Sequence, residues 1–320
     1  MATAAERAFP PHALDRTELF RRAAWAVLGY NILVVLWGAY VRASGSGAGC
    51  GSHWPTCNGQ VIPLAPQIHT IIEYSHRITS GLSLVAVIGL CFWAFQLFPR
   101  AHIVRKLSST AVVLLFVEAL LGAGLVLFDY VAKNASIGRA CYLAAHLTNT
   151  LLLLGALALT AWFAAEHQPE LRWREVPWVF WATLPVAVLV CITGTIAALG
   201  DTLSPSASLA AGLKLDFSST ASVLIRLRMV HPFIAAVAGL LFAVVAFFAL
   251  QVSSRRLIRV LAITVIVSTF VQLCAGVLNL ALLAPIWMQI VHLLLADAVW
   301  IALVLFVAEA AVPSVAAPRE

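Results

Sequence analysis

Charge is what this chain has least of. Asp, Glu, Lys and Arg together make up 11% of its 320 residues, against about 25% in a soluble domain. No polar stretch is long enough to build a soluble domain, and 62% of the residues are hydrophobic. That is more apolar side chain than a water-soluble core buries, so most of the chain is expected to face lipid or its own spans. The formal net charge is +6. The basic residues fall in short clusters between apolar runs, however, which speaks for membrane orientation rather than nucleic-acid binding. A small-residue cleavage pattern is also missing. Polar residues 1–22 lead into a long first span, so that span is expected to be retained.

What the chain has instead is long apolar runs. A span needs about 20 apolar residues to cross a hydrocarbon core about 30 Å thick. Eight segments qualify: 23–43, 69–98, 104–128, 139–165, 176–199, 222–251, 257–283 and 286–311. Proline and charge mark the breaks, at Pro99-Arg100, from Pro169 to Arg174, from Ser253 to Arg256, and at Pro285. With the N-terminus inside, thirteen Lys and Arg, from Arg7 to Arg319, lie on the inner side and seven on the outer. That asymmetry predicts a multi-pass protein of the inner or cytoplasmic membrane with both termini cytoplasmic.

The eight spans divide into two sets of four. Val117-Glu118-Ala119-Leu120-Leu121-Gly122 in span 3 resembles Val271-Gln272-Leu273-Cys274-Ala275-Gly276 in span 7. Gly38 in span 1 has a counterpart in Gly194 of span 5, His76 in His231, and His146 in His292. Order and spacing together indicate a duplicated four-helix unit. An even number of spans per unit keeps both copies in one orientation. The expected fold is therefore an all-α integral membrane protein whose eight transmembrane helices form two pseudo-symmetric four-helix bundles, residues 1–170 and 171–320.

Four histidines open four spans at matching depth: His76, His146, His231 and His292 lie six to nine residues inside, or about 9–14 Å along a helix. Ionisable groups within a span rarely lack a task. Spans 2, 4, 6 and 8 run in the same direction, so His76 can face His146 and His231 can face His292. Such pairs can hold a haem iron from both faces, which predicts two haem sites. A lone intramembrane histidine would more simply bond a neighbouring helix; four in a repeated pattern favour ligation.

The residues beside the histidines differ between the halves. Glu73 precedes His76 by three residues and so shares its helix face, whereas Arg228 stands at that place before His231. An acid suits proton movement or an oxidised carbon intermediate, and an arginine suits a haem propionate. The plainer reading of Glu73 is a salt bridge to Arg77, one turn on. Glu118 and Asp297 fall inside spans and are candidates to pair across helices. His69 either accompanies the site or sits at the interface; His12, His53, His102 and His167 fall in loops or tails and are expected to be solvated.

The first outer loop holds Cys50 and Cys57, seven residues apart around His53 and Trp54-Pro55. On an oxidising face they suggest a disulfide. A redox-active dithiol is the alternative, and a metal site with His53 is poor for want of four ligands. Cys91, Cys191 and Cys274 read as small packing residues within spans, and Cys141 near an outer end stays ambiguous.

The run Gly38-Ala39-Tyr40-Val41-Arg42-Ala43-Ser44-Gly45-Ser46-Gly47, followed by Cys50, Trp54-Pro55, Cys57 and Gly59, resembles the first-loop signature of haem A synthases. Glu73-Tyr74-Ser75-His76-Arg77 resembles that family's acid-and-histidine motif, and the resemblance extends over essentially the whole chain. It implies an enzyme that oxidises the C8 methyl of haem O to a formyl group by successive hydroxylation, the gem-diol losing water, to supply haem A to cytochrome oxidase. It further implies that His76 and His146 flank the substrate haem, with Glu73 as the catalytic acid. His231 and His292 would ligate haem b, and Cys50 and Cys57 would be a disulfide. The chain departs from the pattern at His53, where an acidic residue usually precedes Trp-Pro, and the outer loop 200–221 lacks the cysteines of a second loop disulfide. The implied partners are the lipid membrane, a haem O synthase and an electron donor; a homo-oligomer is compatible with this reading. Two rivals are a non-catalytic dihaem electron carrier, which leaves the Glu73/Arg228 difference and the cysteine loop unexplained, and a haem transporter or chaperone.

Overall fold

A computed structural model describes residues 11–165, 171–219 and 223–313. Arg7, His167, Pro169 and Arg319 lie outside the described residues. The described residues are mainly α-helical, in the order α1 Pro11–Ala43, α2 Ile68–Leu97, α3 Ile103–Leu127, α4 Ile137–Phe163, α5 Trp178–Leu203, α6 Leu209–Asp216, α7 Val223–Arg228, α8 Val230–Val252, α9 Arg256–Ala281 and α10 Ile286–Ala310. Among the described residues eight helical segments are long and apolar enough to cross a membrane, with α7 and α8 serving together as the sixth. The protein is a multi-pass membrane protein.

Two helix ends differ from the hydropathy reading. α1 begins well before its apolar run because Glu18 pairs with Arg21 and Arg22, one turn on, at 2.7 and 2.8 Å. Such pairs support a helix without any apolar face. α5 runs on to Leu203, and part of the segment read as the loop 200–221 is α6. Ser208 starts α6 by accepting a hydrogen bond from the Ala211 amide at 3.2 Å. Ser136 does the same for α4 through Arg139 N. His102, expected in solvent, is instead buried and caps α3, its Nδ1 accepting from Val104 N at 3.3 Å.

Packing follows chain order. α1 packs on α2, α2 on α3, α3 on α4, and α4 back on α1; α5, α8, α9 and α10 close a second ring in the same order. The two rings meet where α4 lies against α5 and α10, and α10 against α1. α4 and α10 are therefore the innermost helices, with 56% and 50% of their most apolar stretch buried against protein; most of the outer spans reach only 22%. Two polar contacts fasten α4 to α10. Trp162 Nε1 donates to Glu309 Oε2 at 3.3 Å, and Trp300 Nε1 donates to Leu151 O at 2.6 Å. Gly155 faces the second indole, and a Cβ there would meet Trp300 Nε1 at an ordinary contact distance of 3.5 Å.

The loop before α2 is closed by a disulfide between Cys50 and Cys57, Cα atoms 4.4 Å apart. Gly49 crosses α2 so closely that a Cβ would fall 2.3 Å from His69 O, so no other residue fits there. His69 itself is exposed at the start of α2, its Nδ1 2.9 Å from Ser46 Oγ, which ties helix to loop.

Candidate active site: a chamber lined by four histidines

One cavity of about 1590 Å³ reaches into both rings, and His76, His146, His231 and His292 all line it. A single small-ligand pocket is usually about 300–1,000 Å³, so this chamber has room for more than one such ligand. Its walls are mostly apolar side chains of α1–α5, α8, α9 and α10.

Each histidine is set against a glycine on the neighbouring helix, and the arrangement repeats. A Cβ on Gly38 of α1 would fall 2.9 Å from His76 Cε1 on α2; on Gly194 of α5, 3.0 Å from His231 Cε1 on α8. A Cβ on Gly276 of α9 would fall 3.1 Å from His292 Cε1 on α10, and on Gly122 of α3, 3.9 Å from His146 Cε1 on α4. The glycines let the imidazoles lie close against backbone. The pattern fits the duplication expected from the sequence, with three close contacts and a looser one at Gly122.

The rings of His231 and His292 face each other with centroids 6.4 Å apart and planes at 81°. Metal–imidazole nitrogen bonds are about 2 Å long, and the gap accommodates one metal ion between the two rings. Nδ1 of His76 and of His292 is buried without a hydrogen-bond partner. Buried imidazole nitrogens left unsatisfied are costly, and a ligated iron is one way to satisfy them. The donor set and the chamber therefore fit haem-type groups.

The histidines differ in what stands behind them. His231 Nδ1 is 3.1 Å from Thr193 Oγ1, and His292 Nε2 is 3.4 Å from Gln272 Nε2. His146 Nδ1 instead faces a carboxylate, Glu118 Oε1, at 3.3 Å. Glu118 is held in turn by Thr150 Oγ1 and by Asn149 Nδ2, the latter at 2.6 Å. It does pair across helices, as expected, but with α4. Asp297 does not: it is fully buried with both oxygens unpartnered among the described residues.

Glu73 and Arg228 both reach the cavity wall, and both are engaged. Glu73 is buried; Oε2 accepts from the Cys50 amide at 2.8 Å and Oε1 from Arg77 Nη2 at 2.5 Å. Arg77 also donates to His53 O and Thr56 O, each at 2.7 Å. The disulfide loop, Arg77 and Glu73 are thus one unit, and the plainer expectation of a Glu73–Arg77 salt bridge is realised. Arg228 Nε meets Asp216 Oδ1 at 2.5 Å, and Nη1 meets Asp201 Oδ1 at 3.4 Å. His53 is exposed, with its carbonyl rather than its ring in use. Cys91 and Cys191 are partly buried in their spans, while Cys141 and Cys274 are exposed.

Two more of the seven outer basic residues, which lie at helix ends near the histidines, line the chamber. Arg42, in the last turn of α1, bridges the rings by donating to Ala198 O, Thr202 Oγ1 and Gln289 Oε1 at 3.0–3.1 Å. Arg139, in the first turn of α4, is 3% exposed and donates through Nη1 to Ala132 O and Asn134 O, while its buried Nε has no acceptor. The signal available in the sequence was their place near the histidine-bearing ends of spans.

Eight membrane-crossing helices around a chamber lined by four histidines define a multi-pass membrane protein whose chamber has the room and the donors for haem-type groups. More particularly, the chain belongs to the family of cytochrome oxidase assembly proteins (COX15-CtaA), whose model matches residues 21–304. It is 46% identical over 281 residues to a Protoheme IX farnesyltransferase of Thermus thermophilus, covering 87% of this chain and 46% of that protein. It is 42% identical over 139 residues to the Heme A synthase of Alkalihalophilus pseudofirmus, covering 43% of this chain and 44% of the relative. The corresponding figures for the Heme A synthase of Halalkalibacterium halodurans are 40% over 127 residues, 40% of this chain and 42% of the relative. The chain thus spans under half the length of the curated relatives it matches.

Proposed function

We propose that the protein is a haem A synthase, oxidising the C8 methyl of haem O to a formyl group. The observation that carries this reading is the pairing of histidines around one chamber, in a chain of this family. The Thermus protein is matched over 46% of its length, so its name alone does not carry farnesyl transfer to this chain. The family model covers residues 21–304, and other relatives of this chain are named Heme A synthase. The name of the Thermus relative, Protoheme IX farnesyltransferase, also supports a haem-farnesylating enzyme as the partner that delivers substrate.

In this reading residues 1–170 bind the substrate haem between His76 and His146, and residues 171–320 hold haem b between His231 and His292. The bound iron supplies the oxidising chemistry; an external donor supplies electrons through the second half. This chain's residues position and enclose. Glu118 orients the His146 ring from behind, the role carboxylates commonly play toward metal-bound histidine. Arg77 and the Cys50 amide fix the Glu73 carboxylate at the cavity wall, where it acts as the acid of the reaction. Arg228 serves a carboxylate of haem b, giving up its longer contact with Asp201 to do so. The N- and C-termini lie on the cytoplasmic face, which leaves the disulfide loop outside.

The test is Glu73→Gln, which keeps size and removes charge. The expected result is an inserted protein with normal haem b that accumulates haem O or a partly oxidised product, read by extraction and chromatography beside an immunoblot. A wild-type yield of haem A would end the catalytic role of Glu73 and leave it as the anchor of the disulfide loop. Absence of haem A from the unmodified protein, supplied with haem O, would favour the dihaem carrier.

A further inference from the structure

The chamber is not evenly charged. Glu73 and Arg77 cancel, and Arg228 is offset by Asp201 and Asp216. Arg139 has no such partner and Arg42 has only Asp201 at longer range: every hydrogen bond described for the two goes to a neutral carbonyl, hydroxyl or amide oxygen. Among the described residues neither forms an ion pair. A guanidinium removed from water without an anion is costly, and Arg139 in addition buries an Nε with nothing to accept from it.

Their positions are specific. Arg42 follows Gly38 by four residues, so it stands one turn beyond the glycine that touches His76, on the same face. Arg139 precedes His146 by seven residues, two turns toward the loop end, about 10 Å along the same face. Arg139 thus stands on the loop side of the His76–His146 pair, while the Arg42 guanidinium reaches from α1 to α5 and α10 at the same end, and both line the chamber. The duplication does not require them. The place matching Arg42 in the second half is Ala198, whose carbonyl Arg42 itself uses, and the place matching Arg139 is Pro285.

We propose that Arg42 and Arg139 form the anion subsite of the first half, which takes the two carboxylates of a haem-type substrate and so sets which edge of the macrocycle points toward the loop. The inference rests on the reading of His76 and His146 as the pair that flanks that substrate. Two planar donor forks opposite two carboxylates allow bidentate hydrogen bonding. Orientation matters for an enzyme that oxidises one methyl among several. With the carboxylates held at the loop end, the opposite edge of the ring is carried deeper into the bundle.

The probes are ferric haem and its dimethyl ester, the same macrocycle without the two charges, titrated into the purified full chain. First-half binding is the absorbance change that His146→Ala abolishes. Wild type should bind the free acid at least about tenfold more tightly than the ester, the size of one charge-assisted hydrogen bond. Arg139→Gln and Arg42→Gln should each remove most of that preference while leaving ester affinity within about threefold, and Arg139→Lys should retain part of it. Wild type with no preference for the acid overturns the proposal, and needs no variant to fold. So does an equal loss of acid and ester binding in the glutamine variants, or an unchanged preference in them. If His146→Ala leaves acid binding intact, the reading of the histidine pair fails instead, and the two failures are distinct.

Discussion

Replacing Gly194 by alanine tests whether the glycines set the histidines. A Cβ at Gly194 would stand 3.0 Å from His231 Cε1 and 3.4 Å from both ring nitrogens. Carbon atoms prefer about 3.5–4.0 Å, so the imidazole must retreat by about 0.5 Å or tilt. It is not free to do so, because Thr193 Oγ1 holds Nδ1 at 3.1 Å and His292 faces it across 6.4 Å. A ligand site tolerates about 0.5 Å of error, and loss of ligand support commonly costs about 10–100-fold in metal affinity, or about 1.4–2.7 kcal/mol. We therefore expect Gly194→Ala to weaken haem binding at the second half by that factor. Misfolding is not the competing explanation, since alanine favours a helix over glycine by about 0.8–1 kcal/mol. The matched control is Gly122→Ala, whose Cβ would meet His146 at an ordinary 3.9 Å and should be silent. The assay is haem per chain after purification, with titration of the histidine-ligated absorbance. Wild-type affinity in Gly194→Ala, or equal damage from Gly122→Ala, would refute the reasoning.

Two further outcomes are expected. Cys50→Ser should lower the stability of the outer loop by about 2–3 kcal/mol for so short a closed loop and shift Glu73, while the His231–His292 haem spectrum is unchanged; non-reducing mass mapping of the wild type should find no free thiol at either position, and two alkylated cysteines would rule the bond out. Glu118→Gln makes the residue behind His146 resemble Gln272 behind His292; the first-half haem should then change its midpoint potential upward, as an anionic partner gives way to a neutral one, and an unmoved potential would show that the carboxylate does not act through the ring.

All eight spans were legible because hydropathy over about 20 residues is a strong local signal. The ends were less so. Glu18 with Arg21 and Arg22 extends α1 through polar sequence, and Ser208 nucleates α6 in a stretch that reads as loop. The four histidines and their glycines were visible as a repeat. Their surroundings were not, because side-chain partners depend on which helices touch. Glu118 could be recognised as buried but not as the neighbour of His146, and Arg42 counts as one outer charge until α1 is seen lying against α10. His102 looks like any loop histidine until the end of α3 needs a cap.

The inward position of α4 and α10 bears on how this protein tolerates change. A lipid-facing position asks only that a side chain be apolar, so Leu, Ile, Val and Phe are nearly interchangeable on the outer faces of α2, α3, α8 and α9. α4 and α10 meet protein on most sides, and there size decides. Gly155 lies against Trp300 with room for little more than a methyl group, and Ala156, Ala158 and Ala161 are buried along the same helix. Between helices in a bilayer close approach replaces the hydrophobic effect as the source of cohesion. Sequence drift should therefore be slowest along these two central helices, including at residues that touch no histidine and bind nothing.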